Sequence, residues 1–311
     1  MAAKQLWVEE YRPTTTEGYV FTDDQQRKQI QSWIASKSIP HILLSGSPGT
    51  GKTTLAKILV NELGIEGYDF LHVNASRDNG VEFLKGKVEG FVSTMPFGSF
   101  KIVLMDEADY LTHNAQAIMR GLMETYASQA RFIFTCNKPH KIMDAIHSRC
   151  SGIHIDKTDM VEFFSRAATV LDKEKIKYDE GTLATYVSAT YPDLRKCLNS
   201  LQANSTSGEL AAPGEGDASV QDWRLAAVDL FKQGKIREGR NAVCNGASSD
   251  DIDGVFRWMY DNLNLWGDTP EQQDDAILAI RKGLVNHAVC SDSEINLSAT
   301  ITELIQIRPT E

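Results

Sequence analysis

The run Gly46-Ser-Pro-Gly-Thr-Gly51-Lys52-Thr53 constrains this chain more than any other stretch. It fits G-x4-G-K-[ST], a pattern that works as a turn between a buried strand and the start of a helix. The flanks supply both. His41 to Ser45 is a short apolar run that reads as a strand. Thr53 to Leu63 puts Leu55, Ile58, Leu59 and Leu63 on one stripe at helical spacing. Glycines let backbone N–H groups curl around phosphate oxygens, and the helix N-terminus adds partial positive charge. Pro48, Gly49, Thr50, Gly51, Lys52, Thr53 and Thr54 are therefore expected to hold a nucleotide. Lys52 is placed to reach the β- and γ-phosphates, and the Thr53 hydroxyl to ligate Mg²⁺.

About fifty residues downstream, Ile102-Val-Leu-Met105 runs into Asp106-Glu107-Ala108-Asp109. Alone this could be a solvated acidic loop. At the end of an apolar strand, after a phosphate-binding loop, the order favours chemistry. Asp106 is expected to hold Mg²⁺, and Glu107 to orient or deprotonate the attacking water. Phe132-Ile-Phe-Thr-Cys136-Asn137 is another strand ending in a polar residue, so Asn137 is a candidate partner for the γ-phosphate or the lytic water. A strand-ending Asn is otherwise an ordinary turn former.

The remaining pattern sets the architecture. Strands are expected at Phe70 to Asn74, Lys101 to Met105 and Phe132 to Thr135, with helices at Asp23 to Ser36, Val81 to Thr94 and Asn114 to Tyr126. Such alternation predicts an α/β unit with a parallel sheet covered on both faces. After Ile155 only helices are expected, at Asp159 to Glu174, Asp179 to Thr190 and Asp193 to Gln202, each opening on an Asp. Asn204 to Ser219, rich in Ser, Gly, Ala and Pro, reads as a linker or surface loop. Helices are then expected at Trp223 to Gln233, Ile236 to Val243, Ile252 to Leu263, Pro270 to Val289 and Ser293 to Ile305. The division is 1–155, 156–205, 206–220 and 221–311: an α/β domain, a small helical domain, a linker and a second helical domain.

Composition narrows the class. At 311 residues the chain suits two or three compact units. A net charge of −10 argues against non-specific coating of nucleic acid, while leaving room for a local basic stripe. The apolar runs are too short to span a bilayer, and residues Met1 to Pro13 carry charges where a signal peptide needs an apolar core. A cytoplasmic location is expected, in the host cytoplasm for a viral chain, with no membrane partner. The five cysteines are far apart and offer no zinc spacing, so buried free thiols are expected.

Ser148-Arg149-Cys150, about a dozen residues after Asn137, resembles the arginine-finger motif of sliding-clamp-loader ATPases. An isolated surface Arg in a salt bridge is the bland alternative. The planar, permanently charged guanidinium suits pairing with two γ-phosphate oxygens. With four motifs in order, the chain resembles an AAA+ clamp-loader subunit, either a replication factor C small subunit or the large ATPase subunit of a T4-type bacteriophage clamp loader. Trp7-Val-Glu-Glu-Tyr11-Arg12-Pro13 is similar to the family's N-terminal signature near the adenine. Asn74-Ala-Ser76 and Ala115 to Glu124 also match. Pro192-Asp-Leu-Arg195 resembles the second sensor, whose Arg195 reaches the γ-phosphate. Val81 to Phe91 and the short chain look closer to the phage branch. Gly121, where cellular relatives carry a second basic residue, departs from the family pattern.

The resemblance implies a P-loop (AAA+) parallel-sheet domain, a small helical lid and a C-terminal all-helical collar. It implies an ATPase that uses ATP and Mg²⁺ to load a sliding clamp onto primer-template DNA, in a five-subunit assembly with other clamp-loader subunits. Glu107, Asn137, Arg195 and Arg149 are then the catalytic residues, with Arg149 serving a neighbour's ATP. Arg77, Lys85 and Arg120 are candidates for sequence-independent contact with DNA phosphates. Phe91 is the candidate for a groove on the clamp, with Phe83 expected in the core. Two other readings stay open: a different AAA+ DNA motor such as a branch-migration helicase, and a scaffold subunit that binds ATP without splitting it.

Overall fold

The computed structural model describes residues 6–78, 80–205, 208–212, 223–233, 235–246 and 252–307. Two compact units make up the chain: Met1–Phe163 with Pro192–Arg195, and Phe164–Tyr191 with Lys196–Glu311.

The first unit is built on five strands, β1 (Ile42–Ser45), β2 (Phe70–Asn74), β3 (Lys101–Asp106), β4 (Ala130–Cys136) and β5 (Ser151–His154). All pairings are parallel, in the order β2-β3-β4-β1-β5. The three central strands, β3, β4 and β1, are buried on both faces, which is why they read as apolar runs. Ile42, Leu44, Ile102, Leu104 and Ile133 face one core cluster, together with Leu55, Ile58 and Leu59 of α3 (Lys52–Glu62) and Ile30 of α2 (Asp24–Ala35). Leu43, Val103, Met105, Phe132 and Phe134 face the other.

That second cluster is closed by a helical stretch of three pieces: α4 (Val81–Phe83), a π-helical segment Leu84–Glu89, and α5 (Gly90–Val92). An uninterrupted helix to Thr94 is expected from sequence. Gly86 and Gly90 weaken the α-helical preference, and the widened turn leaves Leu84, Val88 and Val92 all fully buried. Residues of α6 (His113–Thr125) complete this face, with Ala115, Met119 and Met123 in the core. The short helices α1 (Trp7–Glu10) and α7 (Asp144–His147) flank the sheet in sequence. Side-chain caps fix several helix starts: Asp23 accepts the Gln26 N–H, Thr112 the Ala115 N–H, and Asp179, as the sequence suggests, the Thr182 N–H.

The second unit is helical among its described residues. It takes α8 (Met160–Lys173) from Phe164 on, α9 (Glu180–Thr190), and α10 (Leu194–Ala203) from Lys196 on. It continues with α11 (Trp223–Lys232), α12 (Ile236–Gly246), α13 (Ile252–Asp261), α14 (Pro270–His287) and α15 (Ser293–Ile307). Trp258 makes edge-to-face contacts with Trp223 and Trp266, at centroid distances of 5.4 and 6.2 Å, and Phe231 packs likewise on Trp266. At Gly283 a Cβ would stand 2.2 Å from Thr300 Oγ1, so only glycine lets α14 approach α15 this closely. The expected linker is only partly described, 206–207 and 213–220 lying outside the described residues. Its 208–212 portion is pinned down: the Lys177 N–H donates to Gly208 O, the Leu210 N–H donates to Lys177 O, and Tyr186 Oη donates to Ala211 O. Among the described helices, none is long and apolar enough to cross a membrane.

Candidate nucleotide-binding site

The loop between β1 and α3 has the conformation its glycines imply. Gly46, Gly49 and Gly51 have φ of 143°, 76° and 89°, a region side chains disfavour. Space is short as well: a Cβ on Gly46 would stand 2.1 Å from Ile155 O, and one on Gly49 1.8 Å from Asp193 Oδ1. Gly51 is the left-handed N-cap of α3, and Tyr19 packs beneath it with its hydroxyl directed at Thr50 O.

Beside this loop lies an open, mainly polar cleft. It sits at the carboxyl ends of β1, β3 and β4, where an open α/β sheet binds its ligand. Pro48, Gly49, Gly51, Lys52, Thr53 and Thr54 line one side, with Asp106, Glu107, Thr135, Cys136, Asn137 and Arg195 opposite. Ten of the residues expected at a nucleotide are thus brought together. Arg195 belongs to the segment Pro192–Arg195, which folds with the sheet unit.

Lys52 is buried, and its Nζ donates to Gly46 O and Ser47 O at 2.9 and 2.7 Å. Burial pushes its ammonium down to about 8, Arg195 adds to this, and Cys136, Asp109 and Asp106 oppose it. Asp106 is poised the other way. Burial raises its carboxyl, but hydrogen bonds from His72, Thr135 and Thr53 outweigh that and hold it at about 2. Thr53 Oγ1 donates to Asp106 Oδ1 at 2.7 Å, and Thr135 Oγ1 to the same oxygen at 2.5 Å. A hydroxyl and an ionised carboxylate side by side are the hard oxygen donors Mg²⁺ takes from a protein when phosphates and water supply the rest. Among the described residues there is no cluster of three or more His, Cys, Asp or Glu suited to a metal.

Glu107 has φ 57° and ψ 43°, a left-handed conformation uncommon outside glycine. Its N–H donates to Thr135 Oγ1 at 3.0 Å, so one buried hydroxyl steadies both acidic residues. Strained backbone of this kind persists where its surroundings fix it, as they often do at functional sites. Asn137 lines the cleft, and its backbone N–H points at Asp109 Oδ1.

Sequence reasoning passes over Thr135, His72 and Gln116. Thr135 carried a readable signal, as a polar residue near the end of an apolar strand beside the acidic one. Gln116 is buried and makes three bonds: Nε2 to Leu111 O and Lys141 O, and Oε1 from the Met143 N–H. It ties α6 to the acidic loop and to the segment leading into α7.

Other expected residues stand apart from the cleft lining. Thr50 is buried inside the loop, donating to Ser47 O. Tyr11 ends α1, and Arg12 pairs with Glu9. Arg149 is exposed just beyond α7, donating to Ala145 O at 2.7 Å and pairing with Glu124. Arg77, Lys85 and Arg120 are exposed and, among the described residues, in no ion pair. Phe91 differs from expectation. It packs half-buried against the core, as Phe83 does, with the Lys101 ammonium 4.6 Å over its ring. The exposed apolar side chains lie just beyond, at Met95 and Phe97, 79% and 82% accessible. The five thiols are free; Cys136 and Cys197 are buried as expected, but Cys150, Cys244 and Cys290 are only partly covered.

Residues 42–158 match the ATPase family associated with various cellular activities (AAA). Over nearly the whole chain there is similarity to replication factor C small subunits. That of Sulfurisphaera tokodaii is 38% identical, covering 96% of this chain and 94% of its own. The chain belongs to the replication factor C small-subunit family. The Archaeoglobus fulgidus member is 36% identical over 80% of this chain and 82% of its own, and the Thermofilum pendens member 30% identical over 97% of both. The expected closeness to the bacteriophage branch is not supported, because these relatives are archaeal. Nor is short length a phage mark, since the match covers 94% of the Sulfurisphaera tokodaii member and 97% of the Thermofilum pendens member. The family is one of ATPases.

Proposed function

We infer that the chain is the ATPase subunit of a sliding-clamp loader, using ATP with Mg²⁺ to place the clamp on primer-template DNA. One observation carries this beyond family membership. The residues needed in cis line one cleft, whereas Arg149 of the Ser-Arg-Cys motif is exposed outside it.

In this reading Lys52 exchanges its two carbonyl partners for the β- and γ-phosphates, held by the N–H groups of Gly49 to Thr54. Thr53 and Asp106 hold Mg²⁺, which would neutralise charge developing on the phosphates. Glu107 takes the proton of the attacking water, Asn137 fixes that water, and Arg195 pairs with the γ-phosphate. Arg149 reaches the ATP of a neighbouring subunit, so hydrolysis depends on assembly.

The division 1–155, 156–205, 206–220 and 221–311 then corresponds to ATPase domain, lid, linker and oligomerising collar, in a ring of five with other loader subunits. Tyr11 and Arg12 belong with the adenine. Arg77, Lys85 and Arg120 contact DNA phosphates; with a net charge of −10, that contact is confined to such local positions. Met95 and Phe97 replace Phe91 as the apolar anchors for the clamp. Their loop is held out by Asp69, which accepts the Phe97 and Gly98 N–H groups at 3.1 and 2.7 Å. The archaeal relatives favour this reading over a branch-migration helicase.

The test is steady-state hydrolysis by the assembled protein with clamp, with primer-template DNA, and with both. Because both ligands select the same ATP-bound arrangement, the two together should raise the rate by more than the sum of their separate effects. A strictly additive response contradicts the proposal.

A further inference from the structure

Arg149 does not hang free in solution. Its guanidinium bridges two elements: Nη1 donates to Ala145 O within α7 and to Ser148 Oγ at 3.2 Å, and Nη2 donates to Glu124 Oε1 at the end of α6. Glu124 stands 25 positions earlier in sequence, so this is a tertiary contact. The side chains of Arg149 and Glu124 are 35% and 49% accessible. Exposed pairs of this kind contribute at most about 1 kcal/mol to stability, so preserving the fold is a poor explanation for it.

The helix carrying Glu124 is rigidly set. Gln116, about two turns earlier in the same helix, bonds Leu111 O beside the acidic loop and Lys141 O before α7. The carboxylate that meets Arg149 is therefore anchored to the same framework as Glu107, the residue that activates water. An Arg left unheld samples many rotamers, and restricting them costs up to about 2 kcal/mol. Glu124 and Ala145 O limit that search beforehand.

We propose that Glu124 is a positioning residue for the arginine finger, presenting the Arg149 guanidinium in the orientation a neighbouring subunit's phosphate meets. The proposal rests on the reading of Arg149 as a trans-acting finger and names a further residue that reading requires. Glu124 acts through Arg149 and touches no substrate.

The test uses the full chain in its assembled form, with ATP, clamp and primer-template DNA at saturation. Glu124→Ala should lower kcat about tenfold, as loss of positioning of a reacting group does, with the KM for ATP within twofold of the parent. Glu124→Gln, whose amide oxygen still accepts from Nη2, should recover most of that loss. In an Arg149→Ala background, Glu124→Ala should add no further loss, an epistasis that a structural role would not produce. A Glu124→Ala enzyme with parental kcat, or with a faster one, overturns the proposal; the faster result would make Glu124 a competitor of the phosphate. Multiplicative losses in the double variant, or a loss accompanied by a fall in melting temperature, also overturn it. If Arg149→Ala itself is silent, the finger reading fails. If Arg149→Ala is inactive while Glu124→Ala is unimpaired, only the positioning role fails.

Discussion

Thr135→Val removes one buried hydroxyl and leaves the side-chain shape nearly unchanged. Thr135 is 2% accessible, donates to Asp106 Oδ1 at 2.5 Å and accepts the Glu107 N–H at 3.0 Å. The bond to the carboxylate is charge-assisted and contributes about 1.5–3 kcal/mol, and a stranded N–H costs about 1–3 kcal/mol more. With relaxation, a loss of about 2–4 kcal/mol is expected, which at about 2–4 °C per kcal/mol lowers the melting temperature of the sheet unit by roughly 5–15 °C. The catalytic consequence comes through Glu107, whose left-handed backbone loses its anchor. A displacement of about 1 Å at a reacting group can cost about 10²-fold, so kcat should fall between tenfold and a hundredfold. Binding should survive within about threefold, because the phosphate-binding loop is untouched. Thr135→Ser, which keeps the hydroxyl, should restore most of both losses. The assays are single-turnover hydrolysis, ATP titration by fluorescence and thermal unfolding. If Thr135→Val hydrolyses ATP at the parental rate while melting lower, the hydroxyl is structural only and its role at Glu107 is refuted.

Lys52→Ala should weaken ATP binding at least about a hundredfold, since Lys52 is the full positive charge in the loop itself; near-parental affinity by titration would contradict the site. Glu107→Gln should bind ATP normally and lose turnover, because an amide cannot take a proton from water; equal rates for variant and parent would contradict its role. His41 predicts an acid-side loss of stability. Burial, aided by Arg131, pushes its imidazole from the usual 6.5 down to about 4, and Nδ1 accepts the Phe132 N–H, which needs a neutral ring. Between these values the unfolded chain binds a proton that the folded chain refuses, so stability should be constant above about pH 6.5 and fall towards pH 4. His41 is partly exposed, and after screening the loss is about 1–2 kcal/mol. His41→Asn should flatten that part of the urea-unfolding profile, and an unchanged slope would assign it to other groups.

Local chemistry made the site legible in the sequence. A phosphate loop needs glycines at particular turns, and a strand ending in two carboxylates has few structural uses, so Gly46 to Thr53 and Asp106-Glu107 could be read directly. Phe70 to Asn74 agrees residue for residue with β2 because both its ends are marked by turn formers. Strand β5 could not be read. Ser151–His154 is short and alternates in exposure, and its place beside β1 is fixed by backbone pairing that no side-chain pattern records. The π-helical segment was hidden for a similar reason, since Leu84 and Val88 fit an ordinary helix equally well. The roles of Thr135 and Gln116 depend on bonds between strands and loops distant in sequence. Phe91 illustrates the converse: periodicity marks it as apolar and leaves open whether it faces core or partner. The answer lies with Lys101, buried ten residues away and capping both its ring and its carbonyl.

Complementation between two inactive variants tests the central claim, that each ATP is split at a site shared by neighbouring subunits. Arg149→Ala keeps an intact Glu107 but offers no finger, and Glu107→Gln keeps the finger but cannot activate water. Each alone should lose about 10³-fold or more in hydrolysis. Assemblies formed from a mixture of the two, with clamp and primer-template DNA present, contain interfaces that join an intact Glu107 to an intact Arg149. The account predicts hydrolysis well above either variant alone, varying with the mixing ratio and greatest near equal parts. A mixture that never exceeds the better single variant, or an Arg149→Ala protein that hydrolyses ATP at the parental rate, would contradict it.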